Sequence, residues 1–115
     1  MRRGDIVTVT LDPGRGSEAG KTRPAIVVSN DAANATATRL ARGVITVVPI
    51  TSNVARVHPF QVLLPADQTG LRQDSKAQAE QIRSVAVERV GRQVGRLATA
   101  AMAELDEALR IHLAL

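Results

Sequence analysis

The sequence predicts a small, mainly β (α+β) domain: five or six short strands that bend into a barrel or half-barrel, followed by one C-terminal amphipathic helix. Three observations predict it. Short runs rich in valine and isoleucine recur along the chain, some alternating apolar with polar residues. Glycine- and proline-bearing segments separate them. Only the last stretch, Thr99 to Leu115, changes to a helical period.

The first strand is "DIVTVTL" (Asp5 to Leu11), with Val7, Val9 and Leu11 on one face and Thr8 and Thr10 on the other. "DPGRGSEAGKTR" (Asp12 to Arg23) holds three glycines, a proline and mixed charge, which predicts a long mobile loop. "PAIVVSN" (Pro24 to Asn30) is a second strand, apolar on both faces, with Pro24 at its first residue, where no ladder donor is needed. "DAANATATRLARG" is polar and reads as irregular, with one helical turn around Ala32. "VITVVPIT" (Val44 to Thr51) is a central β-branched strand, and Pro49 predicts a bulge or edge near its end. "HPFQVLLP" (His58 to Pro65) alternates again, with Phe60, Val62 and Leu64 facing one way. "ADQTGLRQD" is a turn region, "SKAQAEQIRSVA" (Ser75 to Ala86) a weak strand, and "QVGRL" (Gln93 to Leu97) a short last strand. In the helix, Met102, Leu105, Leu109 and Leu113 form the apolar stripe, while Glu104, Asp106 and Glu107 lie opposite or on its flanks. Neither a repeat nor a linker divides the chain, so residues 1–115 read as one domain.

Composition narrows the function. The chain has no cysteine, which excludes disulfides, thiolate nucleophiles and zinc-finger sites. His58 and His112 are far apart and lack metal-ligand spacing, so neither a metal nor another cofactor is expected. No apolar run approaches the roughly 20 residues that span a bilayer. The N-terminus meets an acid and threonines too early for a secretory leader, which predicts a cytoplasmic protein with no membrane partner. The net charge is +4, and only Lys21 and Lys76 are lysines among the 15 basic residues. Arginine suits bidentate contacts to phosphate, so nucleic acid is a plausible partner. With no Trp or Tyr and only Phe60, a platform of stacked bases is not expected. Such a protein would grip phosphates and base edges.

Three clusters are candidates for chemistry. Arg23 stands where the glycine-bearing loop meets a buried strand. It reads either as a surface charge, paired with Glu18 or Asp31, or as a phosphate clamp at the mouth of a groove. Lys21 beside it reads equally as a solvated loop charge or an RNA contact. Thr51, Ser52 and Asn53 follow the central strand and serve either as turn chemistry or as donors to a phosphate oxygen. In "KAQAEQIRS", Lys76, Gln78 and Glu80 would share one strand face, and Gln81 and Arg83 the other. So much polarity on both faces reads either as an edge exposed to solvent or as a face lining a polar groove, where Gln and Arg suit unpaired bases.

Taken in order, "RRGDIVTVTLDPGRGSEAGKTRPAIVVSN", "VVPITS" and "EQIRSV" resemble the MazF/PemK family of toxin ribonucleases. The resemblance extends to the helical end, "ELDEALRIHLAL". It implies an SH3-like β-barrel of five to seven strands, a homodimer, cleavage of single-stranded RNA at short sequences without a metal, and inhibition by an acidic antitoxin of MazE type. Arg23 then matches the family's catalytic arginine and Thr51 its catalytic threonine. Asn30, Ser52 and Asn53 match positions near the RNA, and the loop bearing Ser17, Glu18, Lys21 and Thr22 matches a segment that covers the groove. Some members carry an arginine and an aspartate two apart where this chain has Gln78 and Glu80. Glu80 keeps a carboxylate for acid–base work, whereas Gln78 carries neither charge nor proton. Some relatives have a histidine where this chain has Ser17.

These residues suit a reaction in which the RNA 2′-OH attacks the adjacent phosphorus and expels the 5′ oxygen, leaving 2′,3′-cyclic phosphate and 5′-OH ends. Arg23 would neutralise the phosphorane, Thr51 would donate to a second oxygen, and Glu80 would handle protons. Two alternatives stand beside this reading. One is a CcdB-like toxin that poisons gyrase by binding and has no nuclease activity. The other is a barrel that binds RNA without cutting it.

Overall fold

A computed structural model describes residues 1–12 and 21–115. Seven strands and two helices follow one another: β1 (Asp5–Asp12), β2 (Lys21–Val27), α1 (Asp31–Leu40), β3 (Val44–Thr51), β4 (Gln61–Leu64), β5 (Ser75–Gln78), β6 (Arg83–Ala86), β7 (Val90–Arg96) and α2 (Thr99–Leu113). The strands form one antiparallel sheet in the order β4-β5-β3-β2-β1-β7, with β6 also paired to β3.

Apolar residues on both faces of the central strands dictate two cores, one on each side of the sheet. Ile6, Ile26, Val48, Ile50, Val62 and Leu64 pack under Leu105, Ala108 and Leu109 of α2. Val7, Val9, Leu11, Val27, Ile45 and Val47 pack on the other face with Ala37 of α1. Burying one such side chain contributes about 2 kcal/mol. The α2 stripe is nearly as expected: Leu105 and Leu109 are buried and Met102 is half-buried, but Leu113, in the last turn, is exposed.

β3 changes partner along its length. Val44 to Val47 pair with β6, and Ile50 and Thr51 pair with β5. Pro49 falls at this switch, where a missing N–H is tolerated. The expected single strand from Ser75 to Ala86 is therefore two strands, broken by a 3-10 turn at Ala79–Gln81. Glu80 lies in this turn and not on a strand.

The largest departure is α1. Asp31–Leu40 forms a ten-residue helix where irregular chain was expected. Asn30 caps it, its Oδ1 accepting the Ala33 N–H at 2.8 Å, a contribution of about 1 kcal/mol. Asp31 in the first turn and Arg39 in the last suit the helix dipole. β2 likewise starts earlier than expected, at Lys21 rather than Pro24, and ends at Val27. β7 starts at Val90 rather than Gln93.

The sheet is barrel-like but not closed by hydrogen bonds: among the described residues its edge strands β4 and β7 do not pair. Packing draws the edges together instead. The segment after β4 lies so close to β7 that a Cβ at Gly95 would overlap the Thr69 carbonyl oxygen. Their chain neighbours Gly70 and Val94 line the cavity described next.

Candidate active site

Arg23 and Thr51 come from neighbouring strands. Ala25 of β2 pairs with Pro49 of β3, and extending that register by two residues sets Arg23 across from Thr51. Pro24 restricts Arg23 to extended backbone, and Ala25 to Val28 behind it are buried, so the cation stands on a rigid base. Both residues line a cavity of about 600 Å³. Its other walls are Thr8 of β1, Ser52, residues 70–73 between β4 and β5, Ser75, and residues 92–94 of β7.

Thr51 is half-buried, and its Oγ1 accepts the Asn53 N–H at 3.2 Å. Asn53 Oδ1 in turn accepts the Ala55 N–H at 3.3 Å. This is turn chemistry, and it also fixes the Thr51 hydroxyl oxygen in place. Among the described residues no group accepts the hydroxyl proton, which remains available to a ligand. The turn role and the donor role are thus held by the same side chain.

Arg23 is exposed, and among the described residues no carboxylate pairs with it. Asp31, one of its two candidate partners, instead accepts the Arg3 N–H at 2.7 Å. Glu18, the other, lies outside the described residues, as does Ser17. Two further arginines that the sequence reading did not single out, Arg72 and Arg92, line the same cavity. No described acidic residue lines it. Three guanidinium groups without a facing carboxylate make the cavity a site for a polyanion.

The remaining candidates are dispersed. Ser52 lines the cavity and is exposed. Lys21 and Thr22 are exposed on β2 just before Arg23 but do not line it. Asn30 follows the far end of β2 and is engaged in capping α1. Gln78 is half-buried opposite Gln61, and Gln81 and Arg83 are exposed; none of the three is at the cavity.

Glu80 is also absent from the cavity lining. Its Oε2 accepts from Gln61 Nε2 at 2.7 Å, and its buried Oε1 has no partner among the described residues. Gln61 in turn accepts the His58 N–H through its own Oε1 at 3.1 Å. Lys76, buried on β5, donates to the Arg56 carbonyl oxygen. Glu80 and Lys76 therefore both tie down the connection between β3 and β4. The His58 and Phe60 rings on that connection stack 5.1 Å apart. Among the described residues, no group of three His, Asp or Glu side chains gathers as a metal site would require.

The profile of the PemK-like, MazF-like toxins of type II toxin-antitoxin systems matches residues 2–113. The chain is 69% identical over 113 residues to endoribonuclease MazF9 of Mycobacterium tuberculosis, covering 98% of this chain and 96% of that protein. It is 35% identical over 116 residues to endoribonuclease EndoA of Bacillus subtilis, covering 100% of this chain and 96% of that one. The fold superimposes on the MazE-MazF structure from Deinococcus radiodurans with a TM-score of 0.77 at 28% identity, covering 100% of this chain and 97% of the other. Nearly the whole sequence and the fold converge on one assignment: this chain belongs to the PemK-like, MazF-like toxin family.

Proposed function

We propose that the protein is an endoribonuclease toxin that cuts single-stranded RNA and is held inactive by a cognate antitoxin. The observation that carries this reading is the cavity that both Arg23 and Thr51 line and that no described carboxylate lines. Relatives named as endoribonucleases at 69% and 35% identity support it. They do not support a gyrase poison of CcdB type.

In the reaction, the 2′-oxygen of the RNA forms a bond to the adjacent phosphorus and loses its proton to a base. The bond from phosphorus to the 5′ oxygen breaks, and that oxygen takes up a proton. Arg23 binds one non-bridging oxygen and compensates the charge that accumulates on the phosphorane. Thr51, its oxygen fixed by Asn53, donates its free proton to the other. Ser52 lies in reach of the same cavity and holds the substrate. DNA lacks the attacking hydroxyl and is not cut. Glu80 is better placed to hold Gln61 and the β3–β4 connection than to move a proton, because it does not line the cavity.

The same reading has the toxin act in the cytoplasm as a homodimer. An acidic antitoxin segment would be attracted to the arginines that hold RNA. Structures of related toxins with their antitoxins, such as MazE-MazF from Deinococcus radiodurans, support that partner. The direct test is to incubate the purified protein with single-stranded RNA in EDTA and map the ends. Products with 2′,3′-cyclic phosphate and 5′-OH ends are expected. RNA bound but left intact would favour a plain binding barrel, and trapped gyrase without RNA loss would favour the gyrase poison.

A further inference from the structure

We infer that Arg92 forms a second phosphate subsite beside Arg23, holding a phosphate that neighbours the one being cut. This rests on the endoribonuclease reading above. The geometry begins with an irregularity in the β1–β7 ladder. Val7 pairs with Gln93 and Val9 with Val90, so Thr8 alone faces two residues, Gly91 and Arg92. An extra residue in one strand is a β-bulge, and bulges re-aim the side chain they carry.

Two contacts hold this bulge. A Cβ at Gly91 would overlap the Thr8 hydroxyl, so only glycine lets the strands approach this closely. The Arg92 N–H donates to Thr8 Oγ1 at 3.0 Å. Arg92 is therefore anchored through its backbone. Its guanidinium is exposed, borders the cavity, and among the described residues has no carboxylate partner. Arg96, further along β7, differs: its guanidinium is bound to the buried Asp5.

Thr8 also fixes where Arg92 stands relative to Arg23. On its other side Thr8 pairs with Pro24, and its neighbour Val9 pairs with Arg23. The two cations thus rise from strands on either side of β1, about 9.5 Å apart at the backbone. Arg23 shares the cavity with Thr51, and the bond breaks between them in the proposed reaction. Among the described residues Arg92 has no such partner, and the amide of Gln93 beside it is bound to Asp5 and to the Gly95 carbonyl, which leaves Arg92 as the group of this pair open to a ligand. Two separated cations along one cavity match a strand with regularly repeating charge better than a single phosphate. Arg92 is thus a substrate-binding residue that serves RNA of more than one phosphate.

The test compares full-length protein with Arg92→Ala and Arg92→Lys on short RNAs that span one cleavage site. One RNA carries only phosphates; in others a single neighbouring phosphate is replaced by a neutral methylphosphonate. On the all-phosphate RNA, Arg92→Ala is expected to raise KM about tenfold or more with little change in kcat, and Arg92→Lys to recover part of the loss. With the matching phosphate neutralised, wild type is expected to fall to the level of Arg92→Ala, and the substitution should then cost nothing further. An equal penalty on every RNA, a penalty that follows base identity instead of phosphate charge, or a loss confined to kcat would overturn the inference. Wild-type cleavage of the all-phosphate RNA is the internal control: its absence would overturn the endoribonuclease reading itself.

Discussion

Two clusters of polar side chains share strand β7 and do opposite things. At one end, Asp5 is 3% exposed, and its carboxylate accepts from the Arg2 N–H, from Gln93 Nε2 and from Arg96. Both oxygens of that carboxylate have partners inside the protein. At the other end, Arg92 joins Arg23, Arg72 and the free proton of Thr51 around an open cavity with no described carboxylate. The residue types are nearly the same. Buried polar groups satisfied by one another hold structure together, whereas groups left without protein partners around a cavity are free to bind a ligand.

Breaking each cluster should therefore harm a different property. Thr51→Val removes the proposed proton donor while keeping volume and β-branching. We expect kcat to fall about 100-fold, with a urea midpoint close to wild type; a normal rate would remove Thr51 from the mechanism. Asp5→Ala leaves Arg96 without its acceptor and Gln93 with the Gly95 carbonyl alone at the protected end. It should lower unfolding free energy by about 2 to 3 kcal/mol, measured in urea, while the folded fraction still cuts RNA. Asn30→Ala sharpens the contrast at a residue where sequence and structure point to different roles. Loss of the cap should cost about 1 kcal/mol of stability and leave KM for RNA unchanged. A raised KM without loss of stability would return Asn30 to the RNA interface.

The pattern of what was legible in the sequence follows from the same physics. Strand β3 was readable to the residue, because a β-branched run between turn residues has few other solutions. Helix α2 was readable from its stripe. Helix α1 was not, since its ten residues bury only Asn34 and Ala37 and so show no apolar period. Its signal lay in the cap, Asn30 followed by Asp31, with Arg39 in the last turn. The break between β5 and β6 was hidden because it depends on β3 changing partner, a tertiary event. Arg23 and Thr51, which line the cavity, were singled out through the family resemblance and their position at strand ends. Arg72 and Arg92 were not, because the cavity is assembled from five separate stretches of chain whose proximity only the register reveals. A glycine followed by arginine in β7 was the one local trace of the bulge.

The central claim is that Arg23 is there for the substrate and not for the fold. It is tested by the single-turnover cleavage rate of Arg23→Ala, taken beside its urea midpoint and compared with wild type. Removing the preorganised cation should slow cleavage by about 100- to 1000-fold with the midpoint unchanged. A variant that is stable and cuts RNA at the wild-type rate would contradict the account.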